Sequence, residues 1–101
     1  ETIDVATQRV VAQPPRVMER VTWVASLQAV VSDDNGRLDA SDIIKLNAYV
    51  VDLPANMTGY RDARLQFFPP GTPQPASTLI GVSSLALEGQ MIEVEAIAVT
   101  R

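Results

Sequence analysis

Two carboxylates, Glu93 and Glu95, stand two residues apart in MIEVEAIAV, a run that is otherwise apolar. In an extended strand such residues share a face, about 7 Å apart. A carboxylate so placed can take a proton from water or hold a ligand N–H, work suited to imine or amide chemistry. The chain has no cysteine and no histidine. That removes Ser-His-Asp triads, Cys-His pairs, disulfides and most zinc sites. Acid–base work then falls to Asp, Glu, Lys, Arg, Tyr or bound water. Glu93 reads as a cleft acid or as the ion-pair partner of a neighbouring subunit, because a carboxylate on an apolar strand needs a partner. Glu95 reads as structural, Tyr49 as core or cleft wall, and Trp23 as packing. Arg61 and Arg64 are cations in a helical segment, where the ordinary state is a solvated charge. Asp33, Asp34 and Asn35 before Gly36 read as a cap and turn, so no metal and no other cofactor is expected.

The whole chain limits the remaining options. Its 101 residues are expected to make one domain, 1–101, or part of one, and 47% apolar content is enough for a core without staples. A net charge of −4, with eight scattered Lys and Arg, argues against a nucleic-acid surface. No apolar stretch is long enough to span a membrane. No signal peptide is visible, and a cytoplasmic location is expected. The chain begins at Glu1 without Met, which suggests processing or an absent N-terminal segment.

The elements that must position the acids follow from periodicity. IDVATQRVVAQ, β-branched and ended by Pro14-Pro15, reads as a strand. From Arg16, Val17, Val21, Val24, Leu27 and Val31 recur at helical spacing, and SDDNG ends that helix. DIIKLNAYVVDL is a strand with Leu46, Ala48 and Val50 on one face and Tyr49 and Val51 on the other, apolar on both. PANMTGYRDARLQFF is a second helix with Met57, Tyr60 and Phe67 on one side. PPGTPQPAS is a loop, TLIGVSSLAL a strand, EGQ a turn and MIEVEAIAV the last strand. This order predicts an α+β fold, one mixed sheet with two helices on a single face. In the last strand Ile92, Val94, Ala96 and Ala98 suit a position under helices. The opposite face, with Met91, Glu93, Glu95, Ile97 and Val99, suits a subunit contact or a cleft.

These segments resemble the RidA/YjgF family across nearly the whole chain. QPASTLIGVSSLALEGQMIEVEAIAVTR is similar to the family's P-A-R-T…E-I-E-A-I-A ending, and DIIKLNAYVVDL to its D-V-V-K-V-T-V-Y-L-x-D. IDVATQRVV can be laid over L-D-x-x-T-G-x-L-V. The family's first strand has no counterpart before Glu1. The resemblance implies a chorismate-mutase-like fold that assembles as a homotrimer with clefts between subunits. It also implies hydrolysis of small reactive imines or enamines to keto acids and ammonia. The family glutamate that positions or activates water falls on Glu93. The family arginine that grips a substrate carboxylate falls on Ser77, in PAST, and a frequent asparagine falls near Arg61. A serine offers one hydroxyl and no charge, so the acid is kept and the anchor lost. The binding residues this suggests are Ser77, Arg61 and Tyr49, with Arg64 as a second candidate cation. Two functions are expected from this reading: a divergent hydrolase or deaminase acting on a small imine, enamine or carbonyl compound, or a non-catalytic trimer that binds a metabolite or another protein. The ribonuclease role once attached to the family is disfavoured by acidity and the lack of histidine.

Overall fold

A computed structural model describes the backbone of residues 2–10 and the backbone and side chains of residues 40–99. Four strands form one sheet: β1 (Thr2–Val10), β2 (Ile43–Val51), β3 (Ala76–Val82) and β4 (Gln90–Val99). A short 3-10 turn, Ala40–Asp42, leads into β2, and a helix, α1 (Leu53–Phe67), joins β2 to β3. The spatial order is β1-β4-β2-β3. β4 runs antiparallel to both neighbours and β2 pairs with β3 in parallel. The parallel pair requires a crossover, which α1 supplies. This is the α+β mixed sheet expected, with one helix packed on it. The helix expected from Arg16 lies outside the described residues, as do Trp23 and Asp33–Gly36.

Strand β4 lies between β1 and β2, and its alternation decides the fold. Ile92, Val94, Ala96 and Ala98 are buried, while Glu93 and Ile97 are half-buried and Glu95 and Val99 exposed. Register pairs Leu46 with Ala96, Ala48 with Val94 and Val50 with Ile92. Paired residues share a face, so these side chains make one apolar layer. Tyr60, Ala63 and Phe68 complete the same core.

The corner between β2 and α1 is built on two polar residues. Asp52 takes a left-handed conformation, φ 53 and ψ 50, which Asp tolerates better than most residues. Asn56 is buried, and its Nδ2 donates to the carbonyls of Val51 at 3.0 Å and Asp52 at 3.1 Å. The buried positions of α1 are thus Asn56, Tyr60 and Ala63, with Met57 and Phe67 only half-buried. The sequence pattern selects Met57 over Asn56 because it weighs hydrophobicity alone. A buried amide that satisfies two strand-end carbonyls belongs inside equally well. β3 also ends at Val82, so SSLAL is not strand, and Gly89, at φ 80, turns the chain into β4.

Gly81 fixes the approach of helix to sheet. A Cβ there would stand 3.0 Å from Leu53 Cβ. Gly81 therefore faces α1, and so do Leu79, which packs on the core, and Ser77, because alternate residues of a strand share a face.

Candidate functional site

The candidate residues fall into two clusters on opposite faces of the sheet. On the face away from α1, Asn47 and Tyr49 of β2 lie beside Glu95 and Glu93 of β4, paired Asn47 with Glu95 and Tyr49 with Glu93. Tyr49 donates its hydroxyl to Glu95 Oε1 at 2.8 Å, and Asn47 Nδ2 donates to the same oxygen at 3.1 Å. The two donors hold the Glu95 carboxyl below its ordinary range, Tyr49 contributing most, with a further pull from the Lys45 charge. The same bond, then loss of hydration, then the Glu95 and Glu93 charges, push the Tyr49 phenol up. Glu95 is thus a fixed anion, as a structural acid would be. Glu93 is half-buried one step along the strand, with Gln8 of β1 opposite it in register. Exposed Ile80 and Val99 border this face.

The second cluster sits where α1 crosses the edge strand β3. Arg64 Nη1 donates to Ser77 Oγ at 2.8 Å, and the guanidinium lies 5.7 Å from the centre of the Phe68 ring. Burial pushes the Tyr60 phenol up, and the Arg64 charge nearby pulls it the other way. Arg61 is exposed on the same helix. The side chain that reaches Ser77 is therefore Arg64.

Ser77 and Glu93 do not meet within one chain. β3 and β4 are separated by β2, about 9.5 Å across the sheet. Ser77 pairs with Leu46 and Glu93 with Tyr49, which adds about 10 Å along the strands. Their side chains also point to opposite faces. Tyr49 shares Glu93's face, and Arg64 shares Ser77's. The sequence pattern does not single out Asn47, although its alternation with Tyr49 places it on the same face. Among the described residues, no group of His, Cys, Asp and Glu could hold a metal ion.

The endoribonuclease L-PSP family model matches residues 3–100. The chain belongs to this family. It is the RidA/YjgF family, and solved members share the fold. A YjgF/YER057c/UK114 member from Mycobacterium tuberculosis is 16% identical, with a TM-score of 0.67 over 93% of this chain and 74% of that one. A Rid-family protein from Yersinia pestis is 24% identical, with a TM-score of 0.68 over 96% of this chain and 77% of that one. TdcF of E. coli, solved with serine bound, is 25% identical, with a TM-score of 0.61 over 81% of this chain and 62% of that one. No curated protein matches the chain by sequence. Among the described residues no helix is long and apolar enough to cross a membrane.

Proposed function

We propose that this RidA/YjgF-family chain is a hydrolase that deaminates a small imine, enamine or related carbonyl compound in a cleft between subunits of a homotrimer. The observation that carries the reading is the Glu93 position: half-buried on a polar strand face, beside a second carboxylate already fixed by Tyr49 and Asn47. In the reaction, Glu93 takes a proton from water as the water oxygen bonds to the imine carbon. That proton passes to the nitrogen to give a carbinolamine; Glu93 then takes the hydroxyl proton and delivers it to the nitrogen as the C–N bond breaks, so that ammonia leaves and the carbon becomes a carbonyl. Tyr49 lines the same face. The serine bound by TdcF supports a small, amino-acid-like ligand. Exposed Ile80 and Val99 on this face favour a covering subunit. The placement of Ser77 across the sheet supports a site shared by two subunits.

The test is ammonia release from a panel of small imines and enamines, with light scattering on the same sample. Turnover by a trimer is expected. No ammonia from any imine would remove the enzyme and leave a binding trimer, which the absence of an arginine at position 77 favours. A stable monomer at micromolar concentration would remove the shared cleft.

A further inference from the structure

Glu93 stands at a boundary on the outer face of the sheet. In register, Ile80, Tyr49 and Glu93 form one row across β3, β2 and β4. Paired residues share a face, so all three side chains leave the sheet on the same side. The next row on that face holds Thr78, Asn47 and Glu95, and it is polar. In the other direction Val51 pairs with Val82. Polar groups therefore lie on one side of Glu93 and apolar groups on the other.

Tyr49 is the rigid part of the apolar side. Its hydroxyl is committed to Glu95 Oε1 at 2.8 Å. That bond fixes the ring and leaves its apolar body, not its oxygen, to meet a ligand. Ile80, beside it in the row, is 42% exposed. Spacing sets what could cover the pair. Neighbouring strands are about 4.8 Å apart, so Tyr49 stands one such step from Glu93 and Ile80 two steps, about 9.6 Å. A one-carbon substituent on a carbon held at Glu93 stops short of the row. A branched chain of about four carbons crosses Tyr49 and comes within contact range of the Ile80 side chain. Val99, also exposed, lies six residues along β4, about 20 Å away, and is not part of this surface.

We propose that Tyr49 and Ile80 form an apolar shelf that selects the substrate's side chain: the compound whose carbon meets Glu93 carries a branched aliphatic substituent of about four carbons. The inference rests on the hydrolase reading and deepens it by naming the substrate class. The two residues hold the substituent and touch no reacting atom. Each methylene group buried on the shelf raises affinity by up to about fourfold. The second subunit of the cleft closes over the row and keeps the substituent from water.

The test uses the full chain with acetamide and isovaleramide as probes, read by calorimetry and by NMR shifts. Both are uncharged, and both offer a planar C–N group whose N–H can meet Glu93. They differ by three carbons in the substituent. Isovaleramide is expected to bind about tenfold or more tightly than acetamide, with shifts at the Ile80 methyls and the Tyr49 ring. Ile80→Ala should remove severalfold of that preference and leave acetamide, which does not reach residue 80, as it was. Ile80→Leu, which restores the apolar surface, should restore the preference. Isovaleramide binding no tighter than acetamide, or no binding of either, overturns the shelf. A preference that survives Ile80→Ala also overturns it. So does an Ile80→Ala protein whose oligomeric state changes in light scattering, since a neighbouring subunit then occupies that side chain. The preference without ammonia release from any imine leaves the shelf standing and removes the hydrolase reading. Ammonia release indifferent to the length of the imine's side chain does the reverse.

Discussion

The two faces of the sheet treat charge in opposite ways. On the outer face, one oxygen of Glu95 accepts from two donors of its own sheet, Tyr49 at 2.8 Å and Asn47 at 3.1 Å. At the helix edge, Arg64 spends one donor on a neutral hydroxyl and keeps the others. The first cluster fixes an acid with neutral donors and presents acceptors. The second fixes a cation with a neutral acceptor and presents donors. Strand alternation keeps them apart: a residue shifted by one position, or by odd numbers across a ladder, faces the other way. Under the proposed function, a small substrate touched by both lies between two copies of the chain, each contributing a different face.

The largest expected effect tests the outer face. Glu93→Gln keeps the shape and removes the charge. Turnover should fall by about 10²-fold or more, the scale for a general base, while light scattering shows the trimer unchanged. If assembly or thermal stability falls instead, Glu93 is a structural partner. If neither changes, Glu93 has neither role and the comparison loses its catalytic half.

The next effect tests the separation itself. Arg64→Met and Glu93→Gln should each be nearly inactive as pure trimers. Co-expressed in equal amounts, they should form mixed rings in which about a quarter of the shared sites hold both native residues. Activity near that fraction supports a site built from two protomers. A mixture no more active than its components would mean that one chain supplies both groups, and the opposite-face argument would fail.

Much of this arrangement is legible in the amino-acid order alone. The buried face of β4 follows from the alternation of Ile92, Val94, Ala96 and Ala98, and the position of Glu93 follows from the same count. The rest depends on directions that spacing leaves open. Arg61 and Arg64 are both on α1, and their type says nothing of which one reaches β3. The helical offset can decide it: Arg64 is four residues after Tyr60 and four before Phe68, both buried. Asn56 escapes the pattern for a different reason. Its place inside comes from the carbonyls of Val51 and Asp52 at the β2–α1 corner, a local demand invisible to hydrophobic periodicity. The serine at position 77 reads as the loss of an anchor, because a sequence shows a missing guanidinium but not the one that arrives from the helix.

A moderate effect should separate the faces through Gly81. Its missing Cβ lets Leu53 approach to where a side chain would stand at 3.0 Å. Gly81→Val would push the start of α1 away from β3, at about 1–3 kcal/mol for an overpacked contact. Because α1 carries Arg64, its hydrogen bond to Ser77 should weaken. The hydrogen bonds of Tyr49 and Asn47 to Glu95, on the far side of the sheet, should persist in NMR. Loss of both together would show that the faces are coupled through the core.

The smallest effect is a pH signature confined to the outer face. The Glu95 carboxyl is held below its ordinary value of 4.5, first by Tyr49 and then by Asn47. A carboxyl depressed in the folded state stabilises it above the unfolded value, and that contribution is lost as pH falls through the folded one. The Tyr49 phenol is raised above its ordinary 10.0, first by its bond to Glu95. Its contribution is complete below that value and is lost as pH rises through the folded pKa. The contribution of the bond is therefore complete between the two ordinary values and is lost progressively beyond them, as pH passes through each folded pKa. Tyr49→Phe removes the larger donor and leaves Asn47, so the Glu95 titration followed by NMR should move up toward the ordinary carboxylate range without reaching it. The exposure of the pair keeps the change in stability small. The Arg64 guanidinium signals should show no matching shift across the Glu95 titration, since the sheet lies between them. Arg64 signals that follow the Glu95 midpoint would place both clusters in one electrostatic site and break the contrast between the two faces.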